Sequence, residues 1–286
     1  MREWIAGQNA LTVDVEDYFQ VEALSGRIPR ESWDSRECRI ESSMRRILAL
    51  CGERGAKGTF FTLGWIARRY PKLVREIVAE GHELASHGHD HLRADRVSRD
   101  QFGRDISDAK KILEDISGKP VQGYRAPCFS ISQQNLWALE AIRGAGYSYS
   151  SSIYPIRHDA YGLPAAPRHA FRPFERDDFL EIPVTSLRAL GSNWPCGGGG
   201  YFRLLPLFWS LSALKRVAQH EQRPCVFYFH PWEMDPGQPR ISALPFKSRL
   251  RHYTNLDRME GRIGKLLERF AWNRIDAIFP VGVGHG

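Results

Sequence analysis

Short runs of apolar residues alternate along the chain with segments in which apolar residues recur at helical spacing. Residues 9–15 and 57–64 are rich in apolar and β-branched residues, which is typical of buried strands. Between them, one apolar helix face is formed by Ile40, Met44, Ile47, Leu48 and Cys51. The pattern predicts a β-α-β unit, whose two strands are parallel.

The same alternation continues to the end of the chain. A second helix is predicted to begin at Pro71 and to end before Gly81, and HELASHGHDH predicts a strand that runs into a loop. Ser98 and Gln101 form a capping-box pattern ahead of a third helix. Later strands are predicted at 121–124, near 147, at 180–184, at 225–229 and at 276–281 (DAIFPV), and later helices at about 132–143 and 256–270. Repeated β-α units predict a parallel sheet, either open and doubly wound or closed into a barrel.

Two segments interrupt this alternation. Residues 154–178 are rich in Pro, Arg and His, and predict a long loop over the site. Residues 196–202 (CGGGGYF) predict a flexible or tightly turning loop, since they lack the glycine spacing of a nucleotide-phosphate cradle.

Polar side chains stand at the ends of four of the predicted strands. They are Asp14, Glu16 and Asp17, then His87, His89 and His91, then Arg125, and finally His230. In a parallel sheet or barrel the carboxyl ends of the strands gather the chemistry, so we expect these side chains to lie close together. Two neutral imidazoles and one carboxylate, with a position left for water, make a suitable shell for catalytic zinc. On spacing alone, any two of the three histidines could hold the ion.

Asp14 ends an apolar run, and its carboxylate could serve as a general base for a metal-bound water. A neighbouring guanidinium such as that of Arg125 would keep this carboxylate ionised and oriented.

Composition narrows the class of protein. The chain has 286 residues, is 42% hydrophobic and carries a formal charge of +7. Its basic residues form only short clusters, which favours a solvated basic surface or attraction to an anionic glycan or membrane, and no nucleic-acid motif accompanies them. Five cysteines without a Cys-x-x-Cys pair fit a reducing compartment. With no stretch typical of a signal peptide or a membrane span, we expect a cytoplasmic protein, peripheral to the inner membrane at most.

The ordered motifs resemble the NodB-homology polysaccharide deacetylases, carbohydrate esterase family 4. They are TVDVED, TFF at 59–61, SHGHDH with its His-x-x-x-His spacing, RAPCF and FYFHP. The segments CGGGGYFRLLP, HPWEMDPGQPR and RHYTNLDRMEGRI further resemble deacetylases found with exopolysaccharide and exosortase gene clusters. The resemblance implies a distorted (β/α) barrel in a single domain of residues 1–286, with a core at about 10–235 and a C-terminal helical extension at about 236–286.

The same resemblance implies a divalent metal, zinc above all, held by His87 and His91, with His89 as a bystander. The third ligand is an acidic residue after Asp14. Strand alternation puts Glu16 on the same face as Asp14, whereas Asp17 has the shorter side chain that the family uses, and both stay open.

The implied reaction is hydrolysis of an N-acetyl group on an N-acetylated polysaccharide or a lipid-linked oligosaccharide. Asp14 acts as base with Arg125 beside it, a backbone N–H near Cys128 in the Arg-x-Pro motif (Pro127) stabilises the oxyanion, and His230 protonates the amine. Where many family members have an aspartate that supports this histidine, the chain reads YSYSSSIYP, so Asp159, Glu181 or Glu233 is expected to take over. Trp194 and Trp232 could form apolar walls for sugar rings.

Two other functions compete with this one. A metal-independent amidase of the same fold would hold no metal, but both His87 and His91 are present. A catalytically silent glycan-binding protein would be favoured by loss of Asp14 or His230, and neither is lost.

Overall fold

The centre of the fold is an eight-stranded sheet in which every pairing of strands is parallel. The computed structural model describes residues 4–175, 177–242, 244–279 and 281. The described strands are β1 (Asn9–Val15), β2 (Thr59–Thr62), β3 (Glu83–Ser86), β4 (Gly123–Tyr124), β5 (Tyr149–Ser150), β6 (Leu180–Glu181), β7 (Ser186–Ala189), β8 (Ser192–Pro195), β9 (Val226–Phe229) and β10 (Trp272–Asn273). The sheet runs in the order β10-β1-β2-β3-β4-β5-β6, with β9 also paired to β1, while β7 and β8 form a separate antiparallel hairpin.

Backbone groups of the glycine-rich segment fill the gap between β6 and β9. Gly197 donates its N–H to the Thr185 carbonyl at 3.0 Å and accepts from Tyr228 N at 2.8 Å, and Gly198 forms a parallel bridge with Tyr228. A β-carbon on Gly197 would lie only 2.9 Å from the backbone N and O of Thr185. The close approach therefore requires glycine, and the sheet is joined here by a loop rather than by a strand.

Strand β1 shows how the sheet positions the site. Its residues are all buried, and successive side chains point to opposite faces. Leu11, Val13 and Val15 belong to the large cluster that packs against the helices, so Thr12 and Asp14 face the interior of the curved sheet. Asp14 therefore lies inside the barrel near its carboxyl end.

Helices cover the outer face of the sheet, and the C-terminal part of the chain is also largely helical. They are α1 (Ile40–Glu53), α2 (Gly64–Arg69), α3 (Pro71–Ala79), α4 (Arg99–Ser117), α5 (Trp137–Gly144), α6 (Gly199–Leu204), α7 (Leu207–Lys215), α8 (Phe246–Tyr253), α9 (Leu256–Arg269) and α10 (Ile275–Ile278). The predicted cap of α4 is present, since Ser98 Oγ accepts from Gln101 N at 3.2 Å. The predicted distorted (β/α) barrel with C-terminal helices is confirmed.

Two predictions about local structure are wrong. The last strand predicted at 276–281 is largely the helical turn α10, and its Pro280 lies outside the described residues. Ile275, Ile278 and Phe279 follow helical spacing and pack into the interior cluster of the barrel. The CGGGGYF segment is not wholly a loop, because α6 begins at Gly199.

No helix in the described part of the chain is long and apolar enough to cross a membrane.

Candidate active site

The predicted site residues meet in one cavity at the carboxyl ends of the strands. It has a volume of about 340 Å³, and its wall includes Asp14, Glu16, His87, His91, Cys128 and His230. Glu16 follows β1, His87 follows β3, and His230 follows β9, so three strand ends supply these side chains. Parallel pairing brings residues that are far apart in sequence to one edge.

Glu16, His87 and His91 form a cluster with the composition of a metal site. Each offers one ligand atom, and these atoms all lie within 4.8 Å of one another. Glu16 Oε2 is buried and has no hydrogen-bond partner among the described residues, although His91 Nε2 lies 2.8 Å away. Two imidazole nitrogens and one carboxylate oxygen that lacks a hydrogen-bond donor fit a divalent cation such as Zn²⁺.

The protonation states of His87 and Glu16 suit metal binding. His87 donates its Nδ1–H to the Arg125 carbonyl at 2.9 Å, which leaves Nε2 for a ligand. Burial, with help from the nearby His91, holds the pKa of His87 well below its ordinary value. Burial alone would raise the pKa of Glu16, but His91 and His230 outweigh it and lower that pKa to about 2. A neutral imidazole and an ionised carboxylate are the forms that bind metals.

The loop that carries the histidines is held from outside the cavity. His91 has a left-handed φ of 56°, which is uncommon for a residue other than glycine. Asp105 on α4 accepts the backbone N–H of His89 at 2.9 Å and that of Asp90 at 3.0 Å. Asp105 gave no signal in the sequence, because an acidic residue on a helix usually faces solvent.

Asp17, the alternative third ligand, does not reach the histidines. Its carboxylate accepts from Tyr18 N at 2.7 Å, from Arg39 N at 2.5 Å and from Cys38 Sγ at 3.0 Å. With Gln20 it forms a capping box around a short 3₁₀ helix. The spacing Asp17-x-x-Gln20 was the sequence signal for this role.

Asp14 and Arg125 form a buried ion pair beside the cluster. Arg125 Nη1 lies 2.7 Å from Asp14 Oδ1, and the guanidinium also donates to Thr12 Oγ1, to Ser151 Oγ and to the Ser151 carbonyl. The guanidinium lies 4.1 Å from the centre of the Phe61 ring and is fully buried. The other carboxylate oxygen, Oδ2, lies 3.9 Å from His230 Nε2. Asp14 is thus fixed through Oδ1, while Oδ2 lies on the side of His230.

His230 is held by Glu233 on the opposite side of the ring. Glu233 Oε1 accepts both the backbone N–H of His230 at 3.1 Å and its Nδ1–H at 2.7 Å. His230 Nε2 lies 3.3 Å from Glu16 Oε1. Burial would lower the pKa of His230, but Glu16, Glu233 and Asp14 together raise it to about 9.

Arg203 on α6 holds Glu233 in turn. Its Nε donates to Glu233 Oε2 at 2.6 Å, and its other nitrogens donate to the carbonyls of Arg251, His252 and Thr254. Both side chains are buried. Burial would raise the pKa of Glu233, and Arg203 and His230 lower it to about 2. Sequence reasoning missed Arg203, since nothing in the sequence separates it from the many other arginines of the chain.

Glu233 is the one of the three suggested partners that contacts His230. Asp159 is exposed and pairs with Lys247 and Arg251. Glu181 lies beneath the backbone of Ser152 and Ile153, whose N–H groups it accepts.

The remaining predicted residues divide between the cavity and other surfaces. Trp232 lines the cavity and stacks on His230 with a centroid distance of 5.2 Å. Cys128 lines it with a left-handed φ of 57°, and Pro127 is buried at the start of the same turn. Trp194 does not reach the cavity, because β8 belongs to the separate hairpin, where the Trp194 indole donates to the Ala189 carbonyl and lines a different groove.

His89 stands apart from the other two histidines. Its ring packs against Gly64 at the start of α2, where an added β-carbon would lie 3.3 Å from His89 Cα. Its imidazole is neither in the cluster nor on the cavity wall.

Comparison with known families places the two halves of the chain separately. Residues 32–149 match the family model described as polysaccharide deacetylase, and residues 151–280 match one described as a domain of unknown function, DUF3473. We call residues 32–149 the deacetylase segment, after the family model that they match. The DUF3473 segment follows it directly.

Two curated relatives are similar to this chain over short stretches. A peptidoglycan-N-acetylglucosamine deacetylase of Bacillus cereus is 36% identical over 76 residues, which cover 27% of this chain and 36% of that protein. A chitooligosaccharide deacetylase of Azorhizobium caulinodans is 35% identical over 91 residues, 32% of this chain and 43% of that protein. The chain thus spans less than half the length of these relatives.

Solved structures share the fold over nearly the whole chain. A Mycobacterium smegmatis protein assigned to the polysaccharide deacetylases covers 95% of this chain and 88% of its own, with a TM-score of 0.60 and 17% identity. The Bc1960 peptidoglycan N-acetylglucosamine deacetylase covers 96% and 89%, with a TM-score of 0.51 and 15% identity. The deacetylase fold therefore extends through the DUF3473 segment.

The site itself is divided between the two segments. The deacetylase segment supplies His87, His91 and Arg125, whereas the DUF3473 segment supplies His230 with its supports Glu233 and Arg203. Asp14 of β1 and Glu16 just after it precede both matched segments.

Proposed function

We propose that this protein is a divalent-metal-dependent hydrolase that removes N-acetyl groups from an N-acetylated glycan. The observation that carries the proposal is the Glu16, His87 and His91 cluster in one cavity with Asp14 and His230. Its family relatives, named as peptidoglycan and chitooligosaccharide deacetylases, support the same reaction. The substrate class is an N-acetylated polysaccharide or lipid-linked oligosaccharide, in the context of exopolysaccharide biosynthesis.

The metal, when bound, supplies Lewis acidity that polarises the amide carbonyl and makes a water more acidic. Glu16, His87 and His91 would hold it, with Glu16 as the acidic ligand in preference to Asp17. Trp232 donates its indole N–H to Glu16 Oε1 at 3.4 Å and helps to orient that carboxylate.

Asp14 takes the proton of the attacking water. Arg125 occupies Asp14 Oδ1, so Oδ2 is the oxygen left to act as base. The water oxygen bonds to the carbonyl carbon, and the resulting oxyanion is stabilised with help from the backbone N–H of Cys128.

His230 completes the reaction as general acid. Its Nδ1–H is held by Glu233, so Nε2 is the atom that carries the transferable proton. When the C–N bond breaks, this proton passes to the departing nitrogen, and the products are acetate and a free amine. The raised pKa of His230 keeps its imidazole protonated near neutral pH, as a proton donor requires.

The test is release of acetate from chitooligosaccharides and peptidoglycan by protein loaded with zinc. Asp14→Asn is expected to lower the turnover by about 10²–10⁴-fold. Asp108→Asn, an exposed substitution on α4, is the matched control and is expected to have no effect.

Three results would contradict the proposal. Acetate release that persists after chelation would support the metal-independent amidase. Glycan binding without acetate release would support the silent binding protein. Normal turnover by Asp14→Asn would show that Asp14 is not the general base.

A further inference from the structure

Exposed large apolar side chains concentrate on three neighbouring elements. Across the described residues seven such side chains are exposed, and five of them lie on the β7–β8 hairpin, at the start of α7 or on α8. These five, which we call the apolar rim, are Leu190, Trp194, Phe208, Phe246 and Leu250. Single exposed apolar residues are ordinary on a protein surface, whereas a concentration of them marks an interaction site.

The tip of the hairpin is unusual in both residue and conformation. Leu190 and Gly191 occupy the two central positions of the turn with φ of 50° and 74°. This turn requires positive φ at both positions and favours Asn-Gly, whereas Leu190 is 94% exposed there. The Leu190 side chain makes almost no contact with its own chain. It therefore contributes little to the stability of the fold and is free to contact a partner.

Leu190 also borders a groove. The groove is lined by Trp194, Phe208 and Trp209, and by Arg157. Phe208, at the start of α7, is 73% exposed. The Trp194 indole is apolar with one N–H, the amphipathic character that places tryptophan at membrane–water boundaries.

The charged side chains of the hairpin and α7 are all cationic. Residues 182–220 contain no aspartate or glutamate, while they include Arg188, Arg203, Lys215 and Arg216. Arg203 is buried, but Arg188, Lys215 and Arg216 are exposed. An acid-free stretch with exposed cations complements an anionic surface.

Helix α8 repeats the combination. Phe246 and Leu250 are exposed one turn apart, and Lys247, Arg249 and Arg251 lie between and beside them. Leucine and phenylalanine accompanied by lysine and arginine are typical of helices that lie in a membrane interface.

The hairpin and α8 both attach to the segment that lines the catalytic cavity. Asn193 of β8 donates to the Pro155 carbonyl at 2.8 Å, and Asp159 pairs with Lys247 and Arg251 of α8. His158, between these two attachments, lines the cavity. None of the five rim residues lines the cavity, but the hairpin and α8 are both anchored to the segment that forms part of its wall.

We propose that the apolar rim is a membrane-docking surface, which inserts Leu190, Phe208 and Phe246 among the acyl chains of an anionic bilayer. A protruding leucine with few neighbours suits a fluid medium that adapts to its shape, and the acid-free segment 182–220 with its exposed cations suits anionic headgroups. The inference is independent of the proposed deacetylase activity.

Flotation with lipid vesicles tests this. The full chain is mixed with vesicles of phosphatidylcholine, or with vesicles of equal parts phosphatidylcholine and phosphatidylglycerol. We expect binding to the anionic vesicles, weakened at least about tenfold by the double variant Leu190→Ser, Phe208→Ser. Leu136→Ser, an exposed leucine at the start of α5, is the matched control and should bind like the native protein. Arg157→Gln with Arg188→Gln should weaken binding and reduce its dependence on salt.

Three outcomes would overturn the proposal: native protein that binds neither vesicle, a double variant that binds as well as native protein, or a native oligomer that the double variant dissociates without any vesicle binding. The last result would make the rim a protein interface. Acetate release from soluble chitooligosaccharide should be equal in native protein and double variant. Loss of release in both would contradict the proposed function alone and would leave the flotation result to decide about the membrane.

Discussion

Gly199 leaves just enough room for the carboxylate of Glu233. A β-carbon on Gly199 would lie 2.8 Å from Glu233 Oε2 and 2.9 Å from Cδ, closer than any ordinary contact. The carboxylate has little freedom to retreat, because Arg203 holds one oxygen and His230 the other. The first turn of α6 therefore forms part of the support of the candidate general acid.

Gly199→Ala is expected to displace Glu233 and to lower turnover at least about tenfold, with a loss of stability of about 1–3 kcal/mol from overpacking. Gly261→Ala, inside α9 and away from the cavity, is the matched control, since a β-carbon on Gly261 meets nothing within 4 Å and alanine favours the helix. Acetate release and thermal unfolding of both variants check this. Equal activity of the two variants would show that the position of Glu233 does not matter for turnover.

Glu233→Gln is expected to shift the alkaline limb of the pH–activity profile to lower pH. Glu233 is one of the anionic neighbours that raise the pKa of His230, so its removal lowers that pKa. The proton donor is then lost at a lower pH, by roughly one unit. Profiles of kcat/KM measure the limb, with Glu260→Gln on the exposed face of α9 as control. If the alkaline limb did not move, Glu233 would have no influence on the pKa of the proton donor.

Glu16→Gln and Asp17→Asn are expected to differ in metal content. Loss of Glu16 removes a ligand, so the metal affinity should fall by more than the roughly 10–100-fold that loss of an outer partner costs. Asp17→Asn should keep the metal and lose about 1 kcal/mol of stability, because it weakens a cap and the bond to Arg39 N. Elemental analysis after dialysis and urea unfolding separate the two effects. Metal retained by Glu16→Gln but lost by Asp17→Asn would reverse the assignment.

His82 should make the fold sensitive to acid. Burial, with Lys57 and Arg274 nearby, lowers the pKa of His82 from 6.5 to about 4, and its Nδ1 already accepts the N–H of Gly58. As the pH falls from 6.5 to about 4, the unfolded chain gains a proton that the folded chain refuses, so stability falls over that window. His82→Asn should show a smaller decline in the urea midpoint over the same range. An identical decline would assign the acid sensitivity to other groups.

The sequence was informative where burial decides the pattern. The runs at 9–15 and 225–229 are strands because they are buried on both faces, and such runs are apolar almost throughout. The site residues at their ends could be found for the same reason, since a polar group that interrupts such a run stands at the edge of the sheet.

What the sequence left open depends on contacts between distant residues. Glu16 and Asp17 differ by one position, and the choice between them rests on the backbone turn after β1 and on Arg39. The sequence could not select Glu233 among three acidic residues, because Arg203, which orients its carboxylate, comes from the distant helix α6. Trp194 was misplaced because a hairpin outside the main sheet carries it.

The backbone contacts of Gly197 and Gly198, which close the sheet, limit how such a chain can change over evolutionary time. The segment that joins the two ends of the sheet runs straight into the helix that carries Arg203. A family boundary drawn near residue 150 therefore passes between the candidate base and the candidate acid. Exchange of either part for an unrelated segment would remove one of these two groups, so the candidate site is complete only when both parts are present.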